Sequence, residues 1–382
     1  MSMVIRRNGL QRKSRVLQGI KVAAAPFVLG VLYLSFWPVK VDPVGWIAPE
    51  NQGFTGPFEE NTTLGLAQQL PLGGREGPED AVVGPDGKLY VSTRGGPILR
   101  YEVAGDVPEV FVDTQGSPLG LDFDAAGRLI VADAYRGLLA VTPDQVIQVL
   151  TTESDGEPIA YADAVAVAPD GKIYFTDAST KFGAEASGGS YEASLLDIME
   201  HGGHGRLLEY DPATKRTTTI TSGLQFANGV ALTPDGAALV VETGSYRIVR
   251  IELSGFRRGK PQPVLENLPG FPDNLRKGRD GRYWVGLVSP RSRLLDFLSD
   301  RPAMRKVAQR LPPTLRPKPA PYGHVFAINA QGKVLTSLQD PDGAYSFVTG
   351  AIETDQYLFV TSLKALSLAR LPREGLKLPS GG

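Results

Sequence analysis

One motif returns six times along this chain, and the repetition limits what the chain can fold into. The segments "GPEDAVVGPDGKLYVSTRGGPILRY" (77–101), "PLGLDFDAAGRLIVADAYRGLLAV" (118–141), "YADAVAVAPDGKIYFTDAST" (161–180), "FANGVALTPDGAALVVETGSYRIVRI" (226–251) and "FPDNLRKGRDGRYWVGLV" (271–288) share a template, and a degenerate sixth copy spans 346–371. Each reads as an apolar strand, a turn built on Asp-Gly or a relative, and further apolar strands. Asp-Gly between alternating apolar residues is a strong hairpin signal because glycine supplies the positive φ of a tight turn.

The register is sharper than the resemblance between copies. Eight residues before the turn glycines Gly87, Gly127, Gly171, Gly236 and Gly281 stand Glu79, Leu119, Asp163, Asn228 and Asp273. In the sixth copy Gln356 replaces the glycine, and the same count gives Val348. These positions are 40, 44, 65, 45 and 75 residues apart, near the roughly 40–50 of a four-stranded propeller blade. The extra length falls in 181–205 and 289–323. The pattern predicts an all-β, six-bladed β-propeller over 62–374 with helical insertions in blades 3 and 5, closed by residues around 62–72 as the outer strand of the last blade. A two-sheet sandwich has no reason to keep one turn register through six copies.

The N-terminus follows a different logic. Arg6, Arg7, Arg12, Lys13, Arg15 and Lys21 precede 18 uncharged residues, 22–39, with Tyr33 and Trp37 toward the far end. A helix of this kind is near the lower limit for crossing ~30 Å of hydrocarbon. The expectation is a basic cytoplasmic segment (1–21), a transmembrane signal-anchor (22–39), a linker (40–61) and, beyond the propeller, a flexible tail (375–382). The propeller then lies on the periplasmic, extracellular or luminal side. The alternative is a cleaved signal peptide, but the small residues Ala23 to Ala25 open the apolar run and no cleavage-like site follows it.

The remaining composition excludes more than it suggests. A net charge of −1 argues against nucleic acid as a partner, and the lack of cysteine removes disulfides, thiolate nucleophiles and cysteine-based zinc sites. No Gly-x-Ser-x-Gly elbow is present. His201, His204 and His324 fall in or beside the insertions and read as loop residues rather than catalysts. The insertion 289–323 carries eight Lys or Arg against two Asp with helical apolar spacing. It reads either as a basic cap that touches anionic lipid or substrate, or as an amphipathic helix packed on the propeller.

In a propeller the first strand of every blade lines the central channel, so residues at one register converge. Glu79, Asp163, Asn228 and Asp273, with Asn274 beside the last, would gather three carboxylates and two amides where water is scarce. Such groups raise one another's pKa unless a cation sits among them. Oxygen-only ligands suit a hard ion, and calcium above magnesium, which prefers a smaller octahedron that keeps its waters. Any single polar residue ahead of a hairpin could instead satisfy backbone groups; five at one height point to a metal. Asp80 alternates away from Glu79 on a strand and is a weaker candidate.

The motifs "GPED", "PLGLDF", "GKIYFTD", "GRLLEYDP", "FANGVALTPDG", "ETGSYRIVRI" and "GFPDNLRKGRDGRYWVG" resemble the strictosidine synthase-like family, and within it the adipocyte plasma membrane-associated protein branch, over roughly residues 60–372. The resemblance implies kinship with gluconolactonase (regucalcin) and paraoxonase, calcium-binding six-bladed propellers that hydrolyse lactones and aryl esters. It also implies calcium ligands at Glu79, Asp163, Asn228, Asp273 and Asn274, with Asp163 departing from the usual Asn. The catalytic histidine of paraoxonases matches Leu119 here, so that dyad is absent. The glutamate of strictosidine synthase near the start of the last blade finds no acid before Glu353. The resulting expectation is calcium-dependent hydrolysis of an ester or lactone, with Asp273 or Asp163 as base or Asp273 as nucleophile. The alternatives are a non-catalytic, calcium-stabilised binding platform and, third, a carbon-nitrogen lyase of the strictosidine synthase kind.

Overall fold

A computed structural model describes residues 27–381. Blade 1 shows how the sequence builds each unit. Strands Pro78–Val83, Lys88–Thr93, Pro97–Glu102 and Glu109–Asp113 form an antiparallel meander from the axis outward. Gly87 closes the first turn at φ +76°, and Asp86 Oδ1 accepts a hydrogen bond from the Lys88 amide at 3.1 Å. Strand alternation then sends side chains to two different interfaces. Leu89 and Val91 pack with Ile352 and Phe359 of the last blade, while Tyr90 packs with Leu121, Leu129 and Val131 of blade 2.

The other inner strands are Pro118–Phe123, Ala162–Val167, Ala227–Leu232, Gly270–Lys277 and Val348–Glu353. Each packs on the next around a ring of six four-stranded sheets. Closure occurs as the sequence predicts: Gln68–Pro71 pairs with the outer strand Ser367–Pro372, with Leu70 opposite Leu368. That pairing ties the first strand to the last blade and closes the ring, which is how propellers protect strand edges.

The two insertions lie on one face. The first forms helices Ala184–Ser187 and Ser190–Glu200, the second Arg293–Phe297 and Pro302–Arg310. A strap from the linker stitches them together. Val44 N donates to Glu200 O at 2.8 Å and Trp46 N to Ser299 O at 3.0 Å, while Arg291 reaches Pro49 O at 2.6 Å. At the other end of the chain, Arg282 donates to Leu378 O and Pro379 O, so residues 376–381 lie against blade 5.

The expected membrane span 22–39 begins outside the described residues, as does the whole basic segment 1–21. Within the described part, 27–36 is helical. Among the described residues no helix is long and apolar enough to cross a membrane.

Candidate metal centre

Every inner strand starts with the same irregularity. In blade 1 the register jumps between Pro78, opposite Thr93, and Ala81, opposite Val91, and the same bulge recurs in the other five blades. A bulge sets two residues against one and bends the strand, so both of its residues can turn toward the axis. That is why Asp273 and Asn274, adjacent in sequence, are both buried in the channel. The hydroxyl opposite the bulge fixes it. Ser92 Oγ accepts from Asp80 N at 3.0 Å and donates to Leu119 O at 2.7 Å; Thr176 Oγ1 accepts from Ala164 N and donates to Asn228 O. Glycine follows where blades crowd. A Cβ on Gly120 would stand 2.6 Å from Ala164 Cα.

This framework brings the five expected residues together. Glu79, Asp163, Asn228, Asp273 and Asn274 are all less than a tenth exposed. Asn228 Nδ2 donates to Asp273 Oδ1. Asn274 Nδ2 donates to Glu79 O at 2.9 Å and Glu79 Oε1 at 3.2 Å. The sixth blade contributes a residue that the turn count misplaces. Its hairpin is one residue shorter than the others, with Glu353 paired to Leu358 where blade 1 pairs Val83 to Leu89. The position matching Glu79 is therefore Thr349 rather than Val348, and Thr349 Oγ1 donates to Glu79 O at 2.7 Å.

The electrostatics are those of an unneutralised cluster. Burial raises the Glu79 carboxyl well above its usual range, and the charges of Asp273, Asp163 and Asp80 push further the same way. Asp163 is raised well by burial, then by Asp273. Burial lifts Asp273 to about 7 against the Asn228 hydrogen bond. Glu79 Oε2 and Asn228 Oδ1 are buried with no hydrogen-bond partner, which is costly unless something else supplies one. Among the described residues no group of three or more His, Cys, Asp or Glu is placed to hold a metal ion, so an ion here would need the amide oxygens of Asn228 and Asn274 as well. All donors are oxygens and two are vacant, which fits a hard ion such as calcium.

One layer down, Asp80 meets its charge differently. Arg276, which sequence reasoning passed over, donates to Asp80 Oδ1 at 2.9 Å and Oδ2 at 2.6 Å and also to Leu121 O. Asp80 Oδ2 in addition accepts from Leu121 N. Asp80 thus has a resident partner; strand alternation, the reason it ranked as the weaker candidate, does not govern the bulge that holds it.

Above the acids opens a cavity of about 250 Å³. Glu79, Asp163, Asn228 and Asp273 line its floor; Leu119, Tyr161, Phe226, Phe271 and Ile198 form much of its walls. Tyr161 and Phe226 meet edge to face at 5.4 Å, and burial keeps the Tyr161 phenol protonated. No histidine lines it. His201 stacks on Trp46 at 4.1 Å and burial lowers it to about 3. His204 Nε2 lies 2.7 Å from Glu200 Oε1. His324 is a strand residue rather than a loop residue: it sits in Gly323–Ile328, buried among Phe54, Phe58 and Tyr322.

Comparison with known proteins agrees with this architecture. Residues 163–255 match the family model described as strictosidine synthase, and residues 56–101 the one described as strictosidine synthase-like, N-terminal. The adipocyte plasma membrane-associated protein of Rattus norvegicus is 33% identical over 94% of this chain and 99% of its own. Protein STRICTOSIDINE SYNTHASE-LIKE 6 of Arabidopsis thaliana is 34% identical over 82% of this chain and 84% of its own. Among solved structures, a gluconolactonase from Xanthomonas campestris superposes with a TM-score of 0.58 at 19% identity, covering 88% of this chain and 99% of that one. The calcium-binding protein regucalcin from Agrobacterium tumefaciens gives 0.55 at 13% identity, covering 83% and 96%. These two likenesses speak for the fold. With a six-bladed ring, both family models and relatives matched along nearly their whole length, the chain belongs to the strictosidine synthase-like family, together with the adipocyte plasma membrane-associated proteins.

Proposed function

We propose that this protein is a calcium-dependent hydrolase of esters or lactones, held at a membrane by its N-terminal segment with the propeller on the periplasmic, extracellular or luminal side. The observation that carries the reading is the set of three buried acids and two amides at the floor of an apolar cavity, with Glu79 Oε2 and Asn228 Oδ1 left without a hydrogen-bond partner. The likeness to a gluconolactonase and to the calcium-binding protein regucalcin supports the lactone and calcium elements, and kinship with the plasma membrane-associated proteins supports the location.

Glu79, Asp163, Asn228, Asp273 and Asn274 would hold the ion. When bound there, calcium supplies a Lewis acid for a carbonyl oxygen and a counter-charge for the developing oxyanion. The chain itself supplies the rest. Asp273 or Asp163 takes a proton from the attacking water; Asp273 could instead attack directly. Leu119, Phe226 and Phe271 exclude bulk water and favour an apolar substrate. Arg276 pairs with Asp80 and so partly offsets the charge that Asp80 adds beside Glu79.

A second reading, a calcium-stabilised binding platform, is favoured by one observation. Leu119 occupies the blade 2 position that matches Glu79 and lines the cavity, so that position offers no proton-transfer group. The synthase reading is weaker, since blade 6 presents Thr349 and no acid at this height. The test is to assay the full chain in detergent against phenyl acetate and a panel of γ- and δ-lactones, with calcium or with chelator. Turnover that needs calcium and disappears in Asp273→Ala supports the hydrolase. Turnover that survives both chelator and substitution, or none at all, overturns it; calcium-dependent melting without turnover points to the platform.

A further inference from the structure

The face around the cavity mouth has a feature that hydrolysis does not use. The second insertion presents Leu294, Phe297, Met304 and Leu315 to solvent, each between 48% and 66% exposed, and the strap adds Ile47. Scattered apolar residues on a surface are ordinary, but a group on one segment, rimmed by cations, marks an interaction surface. Of this segment's eight Lys or Arg, Arg291, Arg305 and Arg310 are buried and Arg301 and Lys306 pair with Asp300 and Asp42, which leaves Arg293, Arg316 and Lys318 to meet solvent. The segment is also continuous with the anchor. Arg310 donates to Leu34 O at 2.8 Å and Trp37 O at 2.6 Å, so it grips the end of the 27–36 helix, whose Phe27, Leu29 and Phe36 side chains are exposed.

The same elements border the site. A hollow lined by Tyr33, Trp37, Leu195, Leu295, Arg310 and Pro317 joins the helix end to the insertions, and Leu195, Leu295 and Pro317 also line the cavity over the acids. Apolar side chains that enter the acyl boundary, with Lys and Arg reaching the headgroups, are the two attractions that hold a surface to anionic lipid.

We propose that this face rests on an anionic phospholipid bilayer, and that the cavity takes a lipophilic ester or lactone directly from the lipid phase. The ligand class rests on the hydrolase reading; the docking does not. The chain contains no cysteine, so single labels can be placed on the full-length protein. An environment-sensitive fluorophore goes on Phe297→Cys, on Leu315→Cys and, as control, on Val107→Cys. Val107 is exposed and lies in the loop between Pro97–Glu102 and Glu109–Asp113, which shares its end of the blade with the Gly84 to Gly87 turn, away from Glu79.

The labelled chains are reconstituted in vesicles of phosphatidylcholine, alone or with about 30% phosphatidylglycerol, and quenched with lipid-borne nitroxides. Blue-shifted, strongly quenched emission at 297 and 315, deepened by phosphatidylglycerol and absent at 107, is expected. Quenching at 297 and 315 no greater than at 107 overturns the docking and leaves the face to a protein partner. For the ligand route, Phe297→Asp with Leu315→Asp should slow hydrolysis of a long-chain p-nitrophenyl ester in the vesicles roughly tenfold, while phenyl acetate in water is hydrolysed as before. Equal effects on the two esters overturn the lipid-phase route. Loss of all hydrolysis in the unmodified chain would sink the hydrolase reading while the quenching still decides the docking.

Discussion

The two levels of the channel hold buried acids under similar constraint and neutralise them by opposite means. In the lower level, Asp80 faces the Arg276 guanidinium, which donates to both of its oxygens. In the upper level, Glu79, Asp163 and Asp273 share the same inner strands and comparable burial, yet among the described residues no Lys or Arg bonds any of them. A buried charge with an encoded partner belongs to the fold; one left without a partner needs a proton or a ligand. The difference turns on one arginine, two residues beyond Asn274.

Several substitutions would break or sharpen that contrast. The largest effect belongs to the upper level: Asp273→Ala should lower hydrolysis roughly 10²–10⁴-fold and abolish the rise in melting temperature on adding calcium, as read by esterase assay and calorimetry. Next comes the lower level. Arg276→Met leaves Asp80 buried and unpaired, and should cost about 3–5 kcal/mol of folding stability in urea titration; Asp80→Asn in the same chain should restore most of it. If Arg276→Met alone proves neutral, the lower pair is ornamental and the contrast fails.

A third outcome concerns pH. Unfolded, Asp273 ionises near 3.8, whereas folding holds its proton until about 7. Between those values the folded state binds more protons, so the stability of the metal-free protein should fall as pH rises from about 4 to about 7. Calcium should cancel most of that fall, and a urea midpoint that climbs with pH in chelator would contradict the assignment. The smallest effect is expected at His204, which faces Glu200 rather than the cavity: His204→Gln should change turnover by less than about twofold.

Much of this was legible before any coordinates. The glycine of each Asp-Gly turn requires positive φ, so the turn register survives and carries Glu79, Asp163, Asn228 and Asp273 to one height. Closure through Gln68–Pro71 also follows from counting strands. Two features escaped. Thr349 was hidden because the sixth hairpin is one residue shorter and has no glycine to mark it, which shifted the count onto Val348. Arg276 was hidden because simple alternation assigns one residue in two to the channel, whereas the bulge opens the axis to adjacent residues and an arginine is long enough to span from blade 5 to Asp80. The histidines, read from the sequence as loop residues rather than catalysts, pack against Trp46, Glu200 and the Phe54 and Phe58 rings away from the site, with His324 on a strand.

The most direct test is a calorimetric calcium titration of the full chain near pH 7.5, where the acids are readiest to ionise around an ion. One calcium should bind per chain, with binding lost in Asp273→Asn and retained in His204→Gln, because only the upper level lacks its own cation. Absence of calcium binding by the unmodified chain, or binding undiminished in Asp273→Asn, would contradict the assignment of the upper acids as a metal centre.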